Sequence, residues 1–209
     1  MQIVRQSMVL EAFTPDALML IEKAGRTCYK SEDRITPGSA NKFVEMIRGY
    51  EHDSVLEHAS ATFRIITDRG VSHEIVRHRL ASYSQESTRY CNYGKGKFGG
   101  EITVVLPVWF DKEALTIEEA VQYQAWQEAC IMAEDRYLLL LKLGQSPQQA
   151  RSVLPNSLKT EMVMTANFRE WLHFFKLRTS PKAHPQMQPL ALQGLAAMQD
   201  QGFGVLFKS

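Results

Sequence analysis

The spacing of apolar residues along the chain predicts several helices of different lengths. Apolar positions three and four apart form one stripe over residues 15–30 and another over about 39–50. The clearest helix spans roughly 117–143 and is ended by Gly144. Four shorter stretches are also predicted to be helical: about 71–80, 147–153, 169–177 and 189–201. Helices therefore form the larger part of the predicted fold.

The longest predicted helix is identified by its recurring apolar residues. They are Val121, Ala125, Ala129, Met132, Ala133, Tyr137, Leu140 and Leu141.

Three stretches show the shorter period of strands instead. Residues 59–67 largely alternate, residues 102–106 form a short apolar run, and residues 158–168 alternate in part. Residues 81–100 are polar and rich in glycine, which predicts a loop. Long helices with strands outside a regular βαβ rhythm predict an α+β fold, with a mixed or antiparallel sheet flanked by helices. The length predicts a single domain over residues 1–209.

Composition and charge narrow the range of functions. The net charge is +1, whereas a dedicated nucleic-acid binder usually has a strong basic excess, so no nucleic-acid partner is expected. No apolar run reaches about 18 residues and the N-terminus lacks the apolar stretch of a signal peptide, so no membrane association is expected. Cys28, Cys91 and Cys130 are odd in number and form no CxxC motif, which predicts reduced thiols and a cytoplasmic location.

The densest group of candidate functional residues lies between positions 77 and 90. Three Arg, one His, one Glu, three Ser and two Tyr fall within these fourteen residues. Arginine forks bind phosphates and carboxylates at two points, so the cluster predicts an anion site. On the predicted helix 71–80, Glu74, Arg77 and His78 share one face. The alternative is a structural network of salt bridges around Glu74 and Glu86.

Two other functions can be read from the same cluster. His73, Glu74 and His78 resemble a zinc HExxH motif, but five residues rotate the second histidine by roughly 500°, off the required face. A zinc hydrolase is therefore disfavoured, and no metal site is predicted. The other alternative is a non-catalytic nucleotide- or RNA-binding module, with Tyr83 or Tyr90 stacking on bases. The balanced net charge counts against it.

The cluster resembles the hallmark motif of flavin-dependent thymidylate synthases. The matching pattern is Arg77-His78-Arg79-x-x-Ser82-x-x-x-x-Ser87-x-Arg89-Tyr90. Three further segments, each weak alone, follow the family's order and approximate spacing: His52…Glu57-His58, Arg151…Leu154-Pro155 and Asn167-x-Arg169…Arg178. The resemblance therefore covers most of the chain.

This resemblance implies a reaction and an assembly. The enzyme would convert dUMP to dTMP, with 5,10-methylenetetrahydrofolate as one-carbon donor, tetrahydrofolate as product, and NADPH reducing FAD. The family does not use a cysteine nucleophile, which fits the lack of a partnered base beside Cys91. The family is typically a homotetramer whose sites are shared between subunits.

The resemblance also implies roles for individual residues. Arg178 would be catalytic, stabilising negative charge on the uracil as C5 becomes nucleophilic. The residues expected near FAD are Ser54, Arg77, His78, Arg79, Gln85, Asn167, Arg169 and His173. Those expected to bind dUMP are Glu74, Arg77, Gln85, Glu86, Ser87, Arg89, Arg151 and Arg178.

Four positions depart from the family's usual residues. The family often has Asn at Ser84, Glu at Gln85, Gln at Glu74 and Asn at His173. A carboxylate near a phosphate is repulsive unless it is paired. These departures therefore affect two expected contacts most: that of Glu74 with the nucleotide and that of His173 with the flavin.

Overall fold

The structure is a computed structural model that describes residues 1–208, except for the side chain of Lys97. The described residues divide into two compact units. The first unit comprises residues 1–7, 66–76 and 85–162. The second comprises residues 8–65, 77–84 and those from Val163 onward. The prediction of a single domain stays a prediction.

Six strands and seven α-helices make up the regular structure of the described residues. The strands are β1 (Gln2–Val4), β2 (Ser7–Phe13), β3 (Ser60–Asp68), β4 (Ala81–Gln85), β5 (Thr103–Val105) and β6 (Lys159–Asn167). The helices are α1 (Ala17–Thr27), α2 (Ser39–Gly49), α3 (Arg69–Ile75), α4 (Ile117–Lys142), α5 (Pro147–Ala150), α6 (Phe168–Arg178) and α7 (Met187–Met198). None of these helices is both long enough and apolar enough to cross a membrane.

The strands form two sheets. The larger has the order β2-β3-β6-β4. Its β3 and β6 are antiparallel, because Thr62 faces Thr165 with 2.8 Å between their hydroxyl oxygens and the Phe168 amide donates to the Ala59 carbonyl at 2.8 Å. The smaller sheet pairs β1 with β5 in parallel, with Ile3 opposite Val104. Parallel and antiparallel strands together with long helices confirm the predicted α+β class.

The helix predicted over 71–80 is wrong at both ends. The Asp68 carboxylate accepts from the Val71 amide at 2.7 Å, so α3 begins at Arg69. It ends at Ile75, because the apolar residues that would continue its stripe do not become buried: Val76 and Leu80 are 37% and 73% exposed. Glu74, Arg77 and His78 therefore do not share a helical face, contrary to the prediction.

The loop predicted over 81–100 begins with a strand instead. Strand β4 lies at the edge of the larger sheet, beside β6. The Glu86 amide just after it donates to the Glu161 carbonyl at 2.8 Å. Polar side chains such as Ser82 and Ser84 are exposed there, so the segment lacks the apolar alternation that identified β3. The N-terminal strands β1 and β2 were not predicted either.

The apolar positions that identified the longest helix are buried only in part. Tyr137 is fully buried, whereas Val121 and Met132 are 63% and 60% exposed, and α4 also buries Cys130 and Glu134. This helix has two apolar faces, and the sequence does not say which one the core covers. The core of the first unit consists of Tyr93, Ile102, Val104, Cys130, Tyr137, Ala150 and Leu158.

Aromatic residues dominate the core of the second unit. Trp171 is fully buried, and its ring lies 4.7 Å from Phe63 and is stacked at 5.6 Å on Phe175. Its indole nitrogen donates to the Ala61 carbonyl at 3.0 Å. These contacts fix α6 against β3. Helix α6 carries the predicted site residues Arg169, His173 and Arg178, and Asn167 directly precedes it.

Candidate active site

The N-terminus of α6 is shaped by Asn167, one of the predicted FAD residues. Its side-chain oxygen accepts from the Glu170 amide at 2.8 Å, which is the geometry of a helix N-cap. Asn167 therefore fixes where α6 begins. The helix then places Arg169 and His173 about one turn apart, as the sequence predicted for these residues.

A cavity of 1350 Å³ in the second unit adjoins this end of α6. Asn167, Arg169 and His173 line it, which brings together three of the predicted FAD residues. Ser54, another predicted FAD residue, lies in the 3₁₀ turn Asp53–His58. Asp53 and Glu57 of the same turn also line the cavity. Ser54 itself is exposed.

The charged residues of this cavity are partly paired with one another. The Arg169 guanidinium lies 2.5 Å from the Glu57 carboxylate, and the hydrogen bond to Glu57 raises the pKa of Arg169. Arg48 is paired with Asp53 at 2.6 Å. An anionic ligand at Arg169 would therefore compete with Glu57, a residue for which the sequence predicted no role of its own.

A buried histidine lies at the centre of the hallmark motif. His78 is 4% exposed, and its Nδ1 lies 2.9 Å from the Glu170 carboxylate. The Arg178 Nε donates to the other ring nitrogen, Nε2, at 3.1 Å. The Tyr83 hydroxyl donates to the His78 carbonyl at 2.6 Å. The predicted catalytic Arg178 and the predicted FAD residue His78 are thus in direct contact.

Burial lowers the pKa of His78, and the positive charge of Arg178 lowers it further, while the hydrogen bond to Glu170 opposes both effects. The His78 ring is therefore neutral at neutral pH. A neutral ring has one donor and one acceptor nitrogen, which matches its two partners.

His78, Glu170 and His173 also form a group whose ligand atoms lie within 4.8 Å of one another. Such a group could hold a metal ion. However, Glu170 and Arg178 already engage both nitrogens of His78, and the fixed positive charge of Arg178 repels a cation. This chemistry disfavours a metal, and the absence of a metal site stays a prediction.

The two arginines that flank His78 face solvent. Arg77 and Arg79 are both exposed, and neither is paired with a carboxylate within residues 1–208. Their guanidinium groups are therefore open to an anionic ligand. Ser84, one of the departures from the family pattern, is exposed as well.

Three predicted nucleotide residues lie together in the first unit. The Arg151 guanidinium donates to the Thr88 hydroxyl at 3.1 Å, which brings Arg151 to the Ser87–Arg89 segment. The Arg89 amide donates to the Ser87 hydroxyl at 3.3 Å, which closes a tight local turn. Guanidinium and hydroxyl groups are suited to binding a phosphate, and Arg151 and the Ser87–Arg89 segment carry both kinds of group. No motif or spacing in the sequence predicted the contact of Thr88 with Arg151.

The side chains of Gln85 and Glu86 have structural partners in the first unit. The Gln85 amide donates to the hydroxyls of Ser72 and Thr160 at 3.0 and 3.1 Å. The Glu86 carboxylate accepts from the Tyr93 hydroxyl at 2.8 Å and is paired with Lys159 at 3.0 Å. The structural network considered from the sequence is therefore present around Glu86.

Burial raises the pKa of Tyr93, and the adjacent Glu86 carboxylate raises it further. The Tyr93 hydroxyl therefore stays protonated and remains a donor to Glu86. Glu74, the remaining predicted nucleotide residue of this unit, is half-buried on α3.

Comparisons with known proteins agree on one family. A family model described as thymidylate synthase complementing protein matches residues 9–201. A flavin-dependent thymidylate synthase of Geobacter sulfurreducens is 35% identical over 189 residues, which is 87% of this chain and 77% of the relative. One of Corynebacterium aurimucosum is 36% identical over 194 residues, or 87% of this chain and 76% of the relative.

Solved structures show the same fold. Thymidylate Synthase X from Helicobacter pylori, solved with FAD and dUMP, superposes with a TM-score of 0.75 at 24% identity and 97% coverage of both chains. Another structure of that protein with FAD and dUMP gives the same TM-score at 25% identity. The family model and the curated relatives both span most of the chain, and therefore this chain belongs to the flavin-dependent thymidylate synthase family.

Proposed function

We propose that the protein is a flavin-dependent thymidylate synthase that converts dUMP to dTMP, with FAD as its cofactor. The observation that carries this proposal is the contact of Arg178 with the buried His78 inside the hallmark motif, in a chain that matches the family over residues 9–201. The relatives are enzymes by name, which favours catalysis over a non-catalytic nucleotide- or RNA-binding module.

FAD binds along the cavity beside α6 in this proposal. Ligand pockets usually measure about 300–1000 Å³, so a cavity of 1350 Å³ has room for a large cofactor. Arg169 would bind a phosphate of FAD, and the Asn167 cap and His173 would face the rest of the molecule. The other residues proposed to contact FAD are Ser54, Arg77, His78, Arg79 and Gln85. Reduced FAD, when bound, supplies the hydride.

The nucleotide phosphate binds at Ser87, Arg89 and Arg151 in this proposal. Arg178 faces the pyrimidine, where its permanent charge stabilises the negative charge that develops on the ring as C5 attacks the one-carbon unit. Arg77 contributes to both ligands, and Glu74 has the least favourable charge for this role. Gln85 and Glu86 contribute mainly by holding the segment in place, because their side chains are engaged within the protein.

The co-substrates are 5,10-methylenetetrahydrofolate, which provides the carbon, and NADPH, which reduces FAD. A flavin that accepts hydride from NADPH and a folate that carries carbon at the methylene level together supply what the methyl group of dTMP requires. No membrane or nucleic-acid partner is proposed. A cytoplasmic location is proposed because Cys28, Cys91 and Cys130 are all free thiols.

The assembly is proposed to be a homotetramer that shares its sites between subunits. Exposed apolar residues support this, because they follow one side of α4 over most of its length. They are Ile117 (87% exposed), Val121, Met132, Leu139 and Leu143 (71% exposed). An apolar stripe of this extent is typical of a surface that is covered by another chain.

The proposed function has a direct spectroscopic test. The purified protein is expected to be yellow with bound FAD, and NADPH is expected to bleach the visible flavin band under anaerobic conditions. The complete mixture with dUMP and 5,10-methylenetetrahydrofolate is expected to yield dTMP. A protein that binds no flavin and forms no dTMP would contradict the proposal.

Arg151→Ala is expected to raise the KM for dUMP roughly tenfold to 100-fold, because a charge-assisted bond to the phosphate is lost. FAD content should not change, since Arg151 donates to Thr88 and is not among the residues proposed to contact FAD. Arg151→Lys keeps the charge without the planar fork and should recover part of the affinity. An unchanged KM in Arg151→Ala would contradict the placement of the phosphate. The matched control is Arg34→Ala, at an exposed arginine in the turn at Glu32–Arg34.

A further inference from the structure

Glu170 is a buried carboxylate for which neither the sequence nor the proposed function supplies a role. Its side chain is 8% exposed, although acidic side chains are seldom buried without a partner. Its amide is bound to the Asn167 side chain, which sets the position of Glu170 in the first turn of α6. One of its oxygens lies 2.9 Å from His78 Nδ1. The position of this carboxylate is therefore fixed from both sides.

The partners of His78 determine which ring nitrogen carries the proton. Arg178 Nε is a donor and never an acceptor, so His78 Nε2 must be the acceptor at 3.1 Å. The ring proton then lies on Nδ1 and is donated to Glu170. Because an ionised carboxylate only accepts, Glu170 stabilises this tautomer against the other one.

We propose that Glu170 is a positioning residue for Arg178, acting through the tautomer of His78. This inference rests on the proposed role of Arg178 in the reaction. Glu170 holds the ring proton of His78 on Nδ1, which leaves Nε2 unprotonated. Nε2 then accepts from Arg178 Nε, and this hydrogen bond fixes the orientation of the guanidinium. In the other tautomer, Nε2–H would point at Arg178 Nε–H and the two donors would repel each other.

The groups around His78 give this arrangement a pH dependence. Glu170, His173 and Arg178 face the ring from α6, the ring of Phe174 lies 4.9 Å from it, and Tyr83 binds the His78 carbonyl. The flanking Arg77 and Arg79 add positive charge along the chain. A protonated His78 cannot accept from Arg178, so activity should fall as the pH is lowered through the pKa of His78.

Removing the charge of Glu170 shifts this dependence in a defined direction. The Glu170 hydrogen bond raises the pKa of His78, so Glu170→Gln should lower that pKa further. The acid limb of the kcat profile should move to lower pH. A purely structural role of Glu170 would reduce activity without moving the acid limb.

The first experiment compares kcat in single and double variants. Glu170→Gln is expected to lower kcat roughly tenfold or more, because losing the partner that orients a functional histidine typically has an effect of this size. The KM for dUMP should stay within about twofold of wild type. In an Arg178→Ala background the same change should add little, because its effect passes through Arg178. The matched control is Glu113→Gln, at an exposed carboxylate outside α4. A wild-type kcat in Glu170→Gln, or an equal loss in both backgrounds, would overturn the inference.

The second experiment reads the tautomer directly and does not need activity. Protein labelled with ¹⁵N-histidine is compared by NMR with His78→Gln, which identifies the His78 ring signals. We expect a neutral ring protonated at Nδ1 in the wild-type protein at neutral pH. A ring protonated at Nε2, or an imidazolium, would overturn the inference even if Glu170→Gln failed to fold. A wild-type protein with the expected tautomer but no dTMP formation would contradict the proposed function and leave the Glu170–His78–Arg178 geometry standing.

Discussion

Arg178→Ala is expected to lower kcat for dTMP formation about 100- to 1000-fold while FAD remains bound. The guanidinium is a permanent charge held by its hydrogen bond to His78 Nε2 at 3.1 Å, so in the proposed reaction it would stabilise charge on the pyrimidine without reorganisation in the transition state. Of the residues proposed to hold FAD, His78 contacts Arg178, whereas Asn167 and Arg169 line the cavity at the other end of α6. The measurement is steady-state dTMP formation at saturating dUMP, together with the ratio of flavin to protein.

Two comparisons make the Arg178 result specific. Arg178→Lys keeps a positive charge but loses the Nε donor, so it should regain only part of the rate. Arg34→Ala removes an exposed arginine from the turn at Glu32–Arg34 and should behave as wild type. Full activity in Arg178→Ala would refute its catalytic role, and loss of flavin in that variant would mean that Arg178 holds the cofactor instead.

Trp171→Ala is expected to be the most destabilising single change in the second unit, costing about 3–5 kcal/mol of unfolding free energy. The indole is fully buried among aromatic rings, and its N–H donates to the Ala61 carbonyl. Truncation leaves a cavity and an acceptor without its donor. For a chain of this size we expect the thermal midpoint to fall by roughly 10 °C or more.

The structural role of Trp171 extends to the site, because α6 carries Arg169, His173 and Arg178. Flavin content should therefore fall with the thermal midpoint in Trp171→Ala. Leu177→Ala is the matched control on the same helix, since Leu177 is 46% exposed and its truncation should cost under about 0.5 kcal/mol. Equal thermal midpoints for the two variants would contradict the assignment of Trp171 to the core.

Regular patterns in the sequence identified the elements whose burial follows their period. Strand β3 alternates between fully buried and half-exposed positions along its length, so its prediction over 59–67 was confirmed. Helix α2 buries Phe43 and Ile47, four residues apart, and was predicted close to its observed bounds. In such elements the local period and the tertiary packing favour the same structure.

The failures occur where contacts distant in sequence determine the conformation. Helix α3 stops at Ile75, and His78 is buried against Glu170, 92 positions away in sequence. Strand β4 was predicted as a loop because its polar sequence has no apolar period. Its pairing with β6 is a contact between segments distant in sequence. No spacing rule could have identified these pairings from the sequence.

In the candidate site too, contacts between residues distant in sequence were not predicted. The hallmark motif and the Asn167–Arg178 segment predicted the residues of the site, and Asn167, Arg169 and His173 line one cavity. Their partners were missed: Glu170 on His78 and Thr88 on Arg151. Glu170 follows the capping Asn167 by three residues, where an acidic residue usually serves the helix terminus, so its position indicated capping rather than a contact with His78.

The most direct test of the central claim is tritium release from dUMP labelled at C5. Formation of the methyl group replaces the hydrogen at C5, so each turnover must release that label to water. We predict release from the wild-type protein with FAD, NADPH and 5,10-methylenetetrahydrofolate present, and release matched by dTMP. Absence of both tritium release and dTMP from flavin-loaded protein in the complete mixture would contradict the assignment of this chain as a thymidylate synthase.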